Sequence, residues 1–259
     1  MHQTTHFLIA TIGPTSGNSA SIASMAKAGM THGRLNMSHG THQSHHSYIE
    51  LLRRENIPIM VDLSGPRTTT KSGHVFDESL PSLTAKDRFD LAFAAKHKTE
   101  WVVMSYAKNV DDVNLLKDEL RRLGHHAKIA LKIEHATAVQ NIRELRAHCD
   151  LIIIARGDLG DALGLEHLGR TTLQLVKTCR EESAQVVVAT EILTSLIDTE
   201  KPTRAEAMDA WLHGYVGASG IMLSNETAVG KNPVNAVTWG ERLFTQGAND
   251  RKHGIQLLG

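Results

Sequence analysis

Residues 151–160 read LIIIARGDLG, and their interpretation decides the class of fold. A leucine and three isoleucines in a row show no polar alternation, so the run is expected to be a strand buried on both faces. Strands of that kind belong to parallel sheets covered by helices. The polar RGD that follows leaves the strand, and a short helical turn is expected from Asp158.

Working outward, the same unit recurs: a short apolar run, a polar loop, then an amphipathic helix. Strands are expected at 7–12, 32–37, 57–63, 100–106, 128–134, 151–156, 185–190 and 220–224. Helical patterns fall between them, for example at 19–29, 110–124, 136–148 and 202–214. The last carries a proline near its first turn and Gly214 at its end, as helices prefer. Eight such units in about 245 residues match a single-domain α/β fold, the (β/α)₈ TIM barrel. A doubly wound open sheet is the rival, weakened because no glycine-rich dinucleotide fingerprint follows the first strand. No linker divides the chain, so residues 1–259 are expected to form one barrel domain.

One connection is out of proportion. DLSGPRTTTKSGHVFDESLP, residues 62–81, has turn formers, three threonines and no apolar periodicity. It reads as a long polar loop after the third strand, and loops of that length are usually lids, binding loops or sites of insertion.

Charged residues balance at 28 against 28, which gives no electrostatic case for nucleic acid or an anionic membrane. No apolar stretch approaches the roughly 20 residues of a membrane span, and the first residues lack the pattern of a signal peptide. A soluble cytoplasmic protein is the expectation. Cys149 and Cys179 read as small buried hydrophobes in a reducing compartment. Sixteen histidines include four in HGTHQSHH, residues 39–46, expected to be a solvated loop and first helical turn rather than a metal site.

The strand ends are polar. They carry Arg34, Asn36 and Ser38, then Asp62, Ser105, Lys132 with Glu134, Arg156-Gly157-Asp158, Thr190-Glu191 and Ser224-Asn225-Glu226. In a barrel these ends surround one mouth, where active sites sit. Lys132 and Glu134 are two apart and leave the same face of a strand. Glu134 and Asp158, from neighbouring strands, are expected to share a hard cation, Mg²⁺ or Mn²⁺ rather than zinc. The bland alternative is a buried Lys–Glu ion pair without a catalytic role.

Several motifs recur in the order of one family: ATIGPTS (10–16), GRLNMSHGTH (33–42), DLSGP (62–66), LPSLTAKD (80–87), LKIEHATAV (131–139), ARGDLG (155–160), ATEILTSL (189–196), PTRAEAMDA (202–210) and IMLSNETAVGKNP (221–233). Together they resemble the catalytic barrel of pyruvate kinase. The resemblance implies that Glu134 and Asp158 hold the divalent metal and that Lys132 stabilises a pyruvate enolate. It implies that Ala155, Arg156, Gly157, Asp158, Thr190 and Ser105 line the substrate, with Thr190 flanking the reacting carbon. Arg34 would meet a transferred phosphoryl group. Asn36, Ser38 and Asp62 would line a monovalent-cation site, His39 would face the nucleotide side, and Glu226 would support the rim.

The departures matter too. Family members insert a lid domain between DLSGP and LPSLTAKD and carry a further C-terminal domain. Leu63 with Arg67 resembles a potassium-independent branch in which a fixed cation replaces the monovalent ion, whereas Thr69 stands where a phosphate-binding arginine is common. Enolate chemistry on a 2-oxo acid or phosphoenolpyruvate-like substrate, as a lyase, aldolase, decarboxylase or transferase, is therefore the expected function. Retained phosphoryl transfer to ADP, a Schiff base on Lys132, and a noncatalytic metabolite-binding or scaffold role are the alternatives. A homo-oligomer stays open.

Overall fold

The computed structural model describes residues 6–70 and 73–255, and at 69, 70, 73 and 74 the backbone alone. In chain order its strands are β1 (Phe7–Thr11), β2 (His32–Asn36), β3 (Ile59–Asp62), β4 (Arg67–Thr70), β5 (Gly73–Phe76), β6 (Trp101–Met104), β7 (Lys128–Ile133), β8 (Leu151–Ala155), β9 (Val186–Ala189) and β10 (Gly220–Leu223). Eight of them close into a parallel barrel in the order β1-β10-β9-β8-β7-β6-β3-β2. This is the (β/α)₈ architecture, and every expected barrel strand is present.

Burial explains why the strand sequences do not alternate. Ile9, Met60, Val103, Ala130, Ile153, Val187 and Met222 meet in a cluster made of strand residues alone, which fills the barrel. Leu8, Val61, Val102, Ile154, Val188 and Ile221 point the other way and pack against the helices. Both faces are therefore dry, and both need apolar side chains.

The helices are α1 (Ser19–Lys27), α2 (His42–Arg54), α3 (Ala85–Lys96), α4 (Val110–Arg122), α5 (Ala136–Gln140), α6 (Ile142–Leu145), α7 (Arg156–Leu163), α8 (Leu165–Glu181), α9 (Arg204–Val216), α10 (Asn225–Ala228) and α11 (Pro233–Lys252). Thr41, Thr84, Asn109 and Thr203 open four of them with reciprocal capping boxes. The single helix expected over 136–148 is divided at Asn141 into α5 and α6, and the Asn141 side-chain amide donates to the Lys108 carbonyl at 2.9 Å. Gly214 does not end its helix. A Cβ there would collide with the Phe244 carbonyl, so its role is the close approach of α9 to α11, and Gly217 in the left-handed region supplies the actual stop.

The long connection after β3 is not an irregular loop. β4 and β5 pair as an antiparallel hairpin, Arg67 opposite Phe76 and Thr68 opposite Val75. The β-branched threonines that read as loop filler are good strand formers. The hairpin's root is fixed from below. Asp87 Oδ1 accepts from the Gly65 N–H at 3.0 Å, and its Oδ2 accepts from the Thr84 N–H at 2.9 Å.

Candidate active site

Lys132 continues the inward-facing row of β7, two residues beyond Ala130, and Glu134 follows just past the strand. Their side chains meet, Nζ to Oε1 at 2.9 Å, and both residues are buried. Lys132 Nζ also donates to Ser105 Oγ at 2.9 Å and lies 3.6 Å from Asp62 Oδ1. Asp62, the last residue of β3, accepts from Arg34 Nε at 2.6 Å, and Arg34 reaches Thr11 Oγ1 at 2.9 Å. Five strand ends thus feed one buried polar network, in which Ser105 supports Lys132 and gives its own proton to the Leu63 carbonyl at 2.6 Å.

The charges are unevenly settled. Burial alone would raise the Asp62 carboxyl, but Lys132 and Arg34 more than offset it and hold it below the usual carboxylate range. Glu134 goes the other way: burial, with repulsion from Asp158, pushes it up against the pull of Lys132 and Arg67.

Across the mouth, Arg67 leaves the hairpin and places Nη2 2.9 Å from Asp158 Oδ2 and 3.4 Å from Glu134 Oε1. Tyr106, at φ 56°, serves the same two carboxylates. Its N–H donates to Glu134 Oε2 at 2.8 Å and its hydroxyl to Asp158 Oδ1 at 2.6 Å. Burial raises the Tyr106 phenol well above its ordinary range, so it stays a donor. Phe76 stacks on the Tyr106 ring, centroids 4.6 Å apart. A cavity of about 380 Å³ opens beside them, lined by Val75, Phe76, Tyr106, Glu134, His135, Asp158, Asp161 and Ala162.

The remaining expected residues occupy distinct places. Helix α7 begins at Arg156, two residues earlier than expected, and Ala155 at its N-cap supplies no side-chain cap. Gly157 passes so near Thr190 that a Cβ would lie 3.0 Å from Thr190 Cγ2. The Arg156 side chain turns away, to the Thr190 carbonyl and Asp209. Asn36 is the register partner of Asp62, and its Oδ1 accepts from the Ser38 N–H at 3.1 Å. His39 is exposed, and its carbonyl accepts from His45 Nε2 at 2.8 Å. Glu226 is buried and joins two loops, accepting from the N–H groups of Leu193 and Ser224 at 3.1 and 2.8 Å.

Arg67, grouped by the resemblance with Asn36, Ser38 and Asp62 on the cation site and rim, sends its hydrogen bonds to Tyr106, Glu134 and Asp158. Thr69 lies where only the backbone is described. Tyr106 and Phe76 are not among the expected site residues; Tyr106 stands out in the sequence only as a rim position near one where the family commonly has phenylalanine, and Phe76 as one aromatic in a polar loop. The histidine-rich turn is largely solvated as expected, with His39 and His46 exposed, and two of its rings are the exception. His45 is buried, and His42 stacks on Phe89 and Phe93 with centroids 4.5 and 4.4 Å away.

Among the described residues no three or more His, Cys, Asp or Glu side chains gather as a metal-ligand group. The Glu134–Asp158 pair nonetheless fits Mg²⁺ or Mn²⁺ by chemistry. Both are hard oxygen donors already converging on one cationic nitrogen, and Mg²⁺ commonly takes only one or two carboxylates, the rest of its shell being water or substrate oxygens.

A family model described as "Pyruvate kinase, barrel domain" matches residues 3–77 and 74–237. The chain belongs to the pyruvate kinase family. The two matched stretches meet at the β4–β5 hairpin, where the pyruvate kinase pattern is interrupted. Pyruvate kinase isozyme G, chloroplastic, of Nicotiana tabacum is 28% identical over 89% of this chain and 56% of its own length. The pyruvate kinase of Aeropyrum pernix is 29% identical over 92% of this chain and 70% of its own. That of Mycobacterium intracellulare is 37% identical over 64% of this chain and 35% of its own. The chain thus spans little more than half the length of the plant pyruvate kinases it matches.

Proposed function

We propose that this pyruvate kinase-family barrel, residues 1–259 acting as one unit in the cytoplasm, is a metal-dependent enzyme that stabilises a pyruvate-type enolate. The observation that carries the reading is Lys132 Nζ held 2.9 Å from Glu134 Oε1, with Asp158 tied to the same carboxylate through Arg67. Mg²⁺ or Mn²⁺ between Glu134 and Asp158 would supply Lewis acidity toward the oxygens of a 2-oxo acid. The Lys132 ammonium adds a second positive centre where negative charge develops on the enolate oxygen. The uncapped N–H groups opening α7, at Gly157 and Asp158, bind the substrate carboxylate. Thr190, packed against Gly157, flanks the reacting carbon.

An enolate made this way serves lyase, aldol, decarboxylation or transferase chemistry on a 2-oxo acid or phosphoenolpyruvate-like substrate. It serves phosphoryl transfer between phosphoenolpyruvate and ADP equally well. Arg34, buried at the mouth, favours that second reading as a partner for a phosphoryl group. The short hairpin favours the first, because phosphoryl transfer commonly proceeds in a site closed against water.

Proton NMR of pyruvate in D₂O tests the shared step. Methyl exchange is expected with Mg²⁺, lost in EDTA and lost in Lys132→Met; no exchange with any metal would sink the proposal. A coupled assay with phosphoenolpyruvate and ADP then separates the two readings.

A further inference from the structure

The Arg67 guanidinium occupies the ground between the two carboxylates. One nitrogen, Nη2, is within 2.9 Å of Asp158 and 3.4 Å of Glu134, while Nε donates to the Tyr106 hydroxyl at 2.9 Å. The guanidinium carbon lies 4.8 Å from the centre of the Tyr106 ring, and Phe76 covers that ring's stack. A cation held by Glu134 and Asp158 would draw on the same two carboxylates that Arg67 now binds. We infer that Arg67 is an internal competitor for the divalent cation, a residue that sets how tightly and in what company the site takes a metal.

The charges explain how the exchange works. With Arg67 in place, two carboxylates face two fixed cations, Arg67 and Lys132, and the set is neutral. A divalent ion added beside Arg67 would leave two uncompensated positive charges in a partly buried site, which is costly. With Arg67 expelled, the set carries one positive charge, which matches a monoanionic carboxylate. Metal and substrate anion are thereby expected to bind with mutual help. Arg67 can leave without disturbing the barrel, because among the described residues β4 and β5 pair with each other and not with a barrel strand.

This inference rests on Glu134 and Asp158 being the cation's ligands, and its test separates the two. Free Mn²⁺ is counted by electron paramagnetic resonance while the full chain is titrated, for the parent, Arg67→Met, Arg67→Lys and Glu134→Gln. Losing charge-assisted hydrogen bonds from the competitor predicts Mn²⁺ binding about tenfold tighter in Arg67→Met than in the parent. Arg67→Lys, which keeps the charge without the planar fork, should fall between them, and Glu134→Gln should bind least. Equal affinities in parent and Arg67→Met, with Glu134→Gln weakened, would overturn the competition while leaving the ligand assignment standing. Mn²⁺ binding that is absent throughout, or indifferent to Glu134→Gln, would overturn both.

Discussion

The Arg156 guanidinium holds the Thr190 carbonyl through Nη2 at 2.8 Å and Nε at 3.1 Å, and Thr190 sits at φ 73°. A β-branched residue in the left-handed region is strained. The strain persists because Arg156 also binds the Glu191 carbonyl at 3.1 Å and is anchored on Asp209 at 2.8 Å. Thr190→Gly relieves about 1–3 kcal/mol of strain and gives back roughly 0.5–1 kcal/mol in unfolded-chain entropy. We predict a higher urea midpoint for that variant together with slower pyruvate exchange. A lower midpoint would show that the turn is not strained.

Asp209 gives a pH signature. Burial would raise its carboxyl, but His213 and Arg156 outweigh burial and hold it down at about 2. A lowered folded-state value means stability present above the unfolded value, near 4, and lost as pH falls toward about 2. Asp209→Asn should therefore cost on the order of 1–2 kcal/mol at pH 7, and the gap to the parent should shrink between pH 4 and pH 2. Urea unfolding at pH 7, 4 and 3 reads it out; a gap constant with pH would refute the linkage.

Lys132 neutralises two buried acids at once, Glu134 at 2.9 Å and Asp62 at 3.6 Å. Lys132→Gln keeps a donor for Ser105 but leaves those carboxylates short of a charge. We expect a stability loss of about 3–5 kcal/mol at neutral pH that eases on acidification as Glu134 takes up a proton. Parallel loss at all pH values, measured by guanidinium unfolding, would mean Lys132 matters only for packing.

Phe76 fastens the hairpin by its ring stack on Tyr106. Phe76→Ala should loosen the hairpin by roughly 0.5–1.5 kcal/mol and speed proteolytic cutting between 66 and 77, while the barrel's unfolding midpoint hardly moves. An equal drop in both would tie the hairpin to the global fold.

The barrel was legible because its signal is local and repeated: short apolar runs such as LIIIA and VVVA, each followed by a polar loop and a helical pattern, fit strands dry on both sides. The Lys132–Glu134 pairing was legible from a spacing of two. The reach of Arg67 was not, since it depends on a partner distant in sequence, Asp158. The hairpin falls between these. Its threonine run favours a strand, but four-residue strands without an apolar face leave little periodicity to read.

Arg67 and Phe76 stand opposite each other at the hairpin's base, and the barrel ladder passes from β3 to β6 without it. A segment of any size grafted between those two residues would begin and finish at neighbouring points, lengthening no barrel connection. The hairpin is in effect a socket. Modules can be exchanged there by evolution or by protein engineers, and each exchange rewrites the cover of the barrel mouth while the eight strands below keep their pairing.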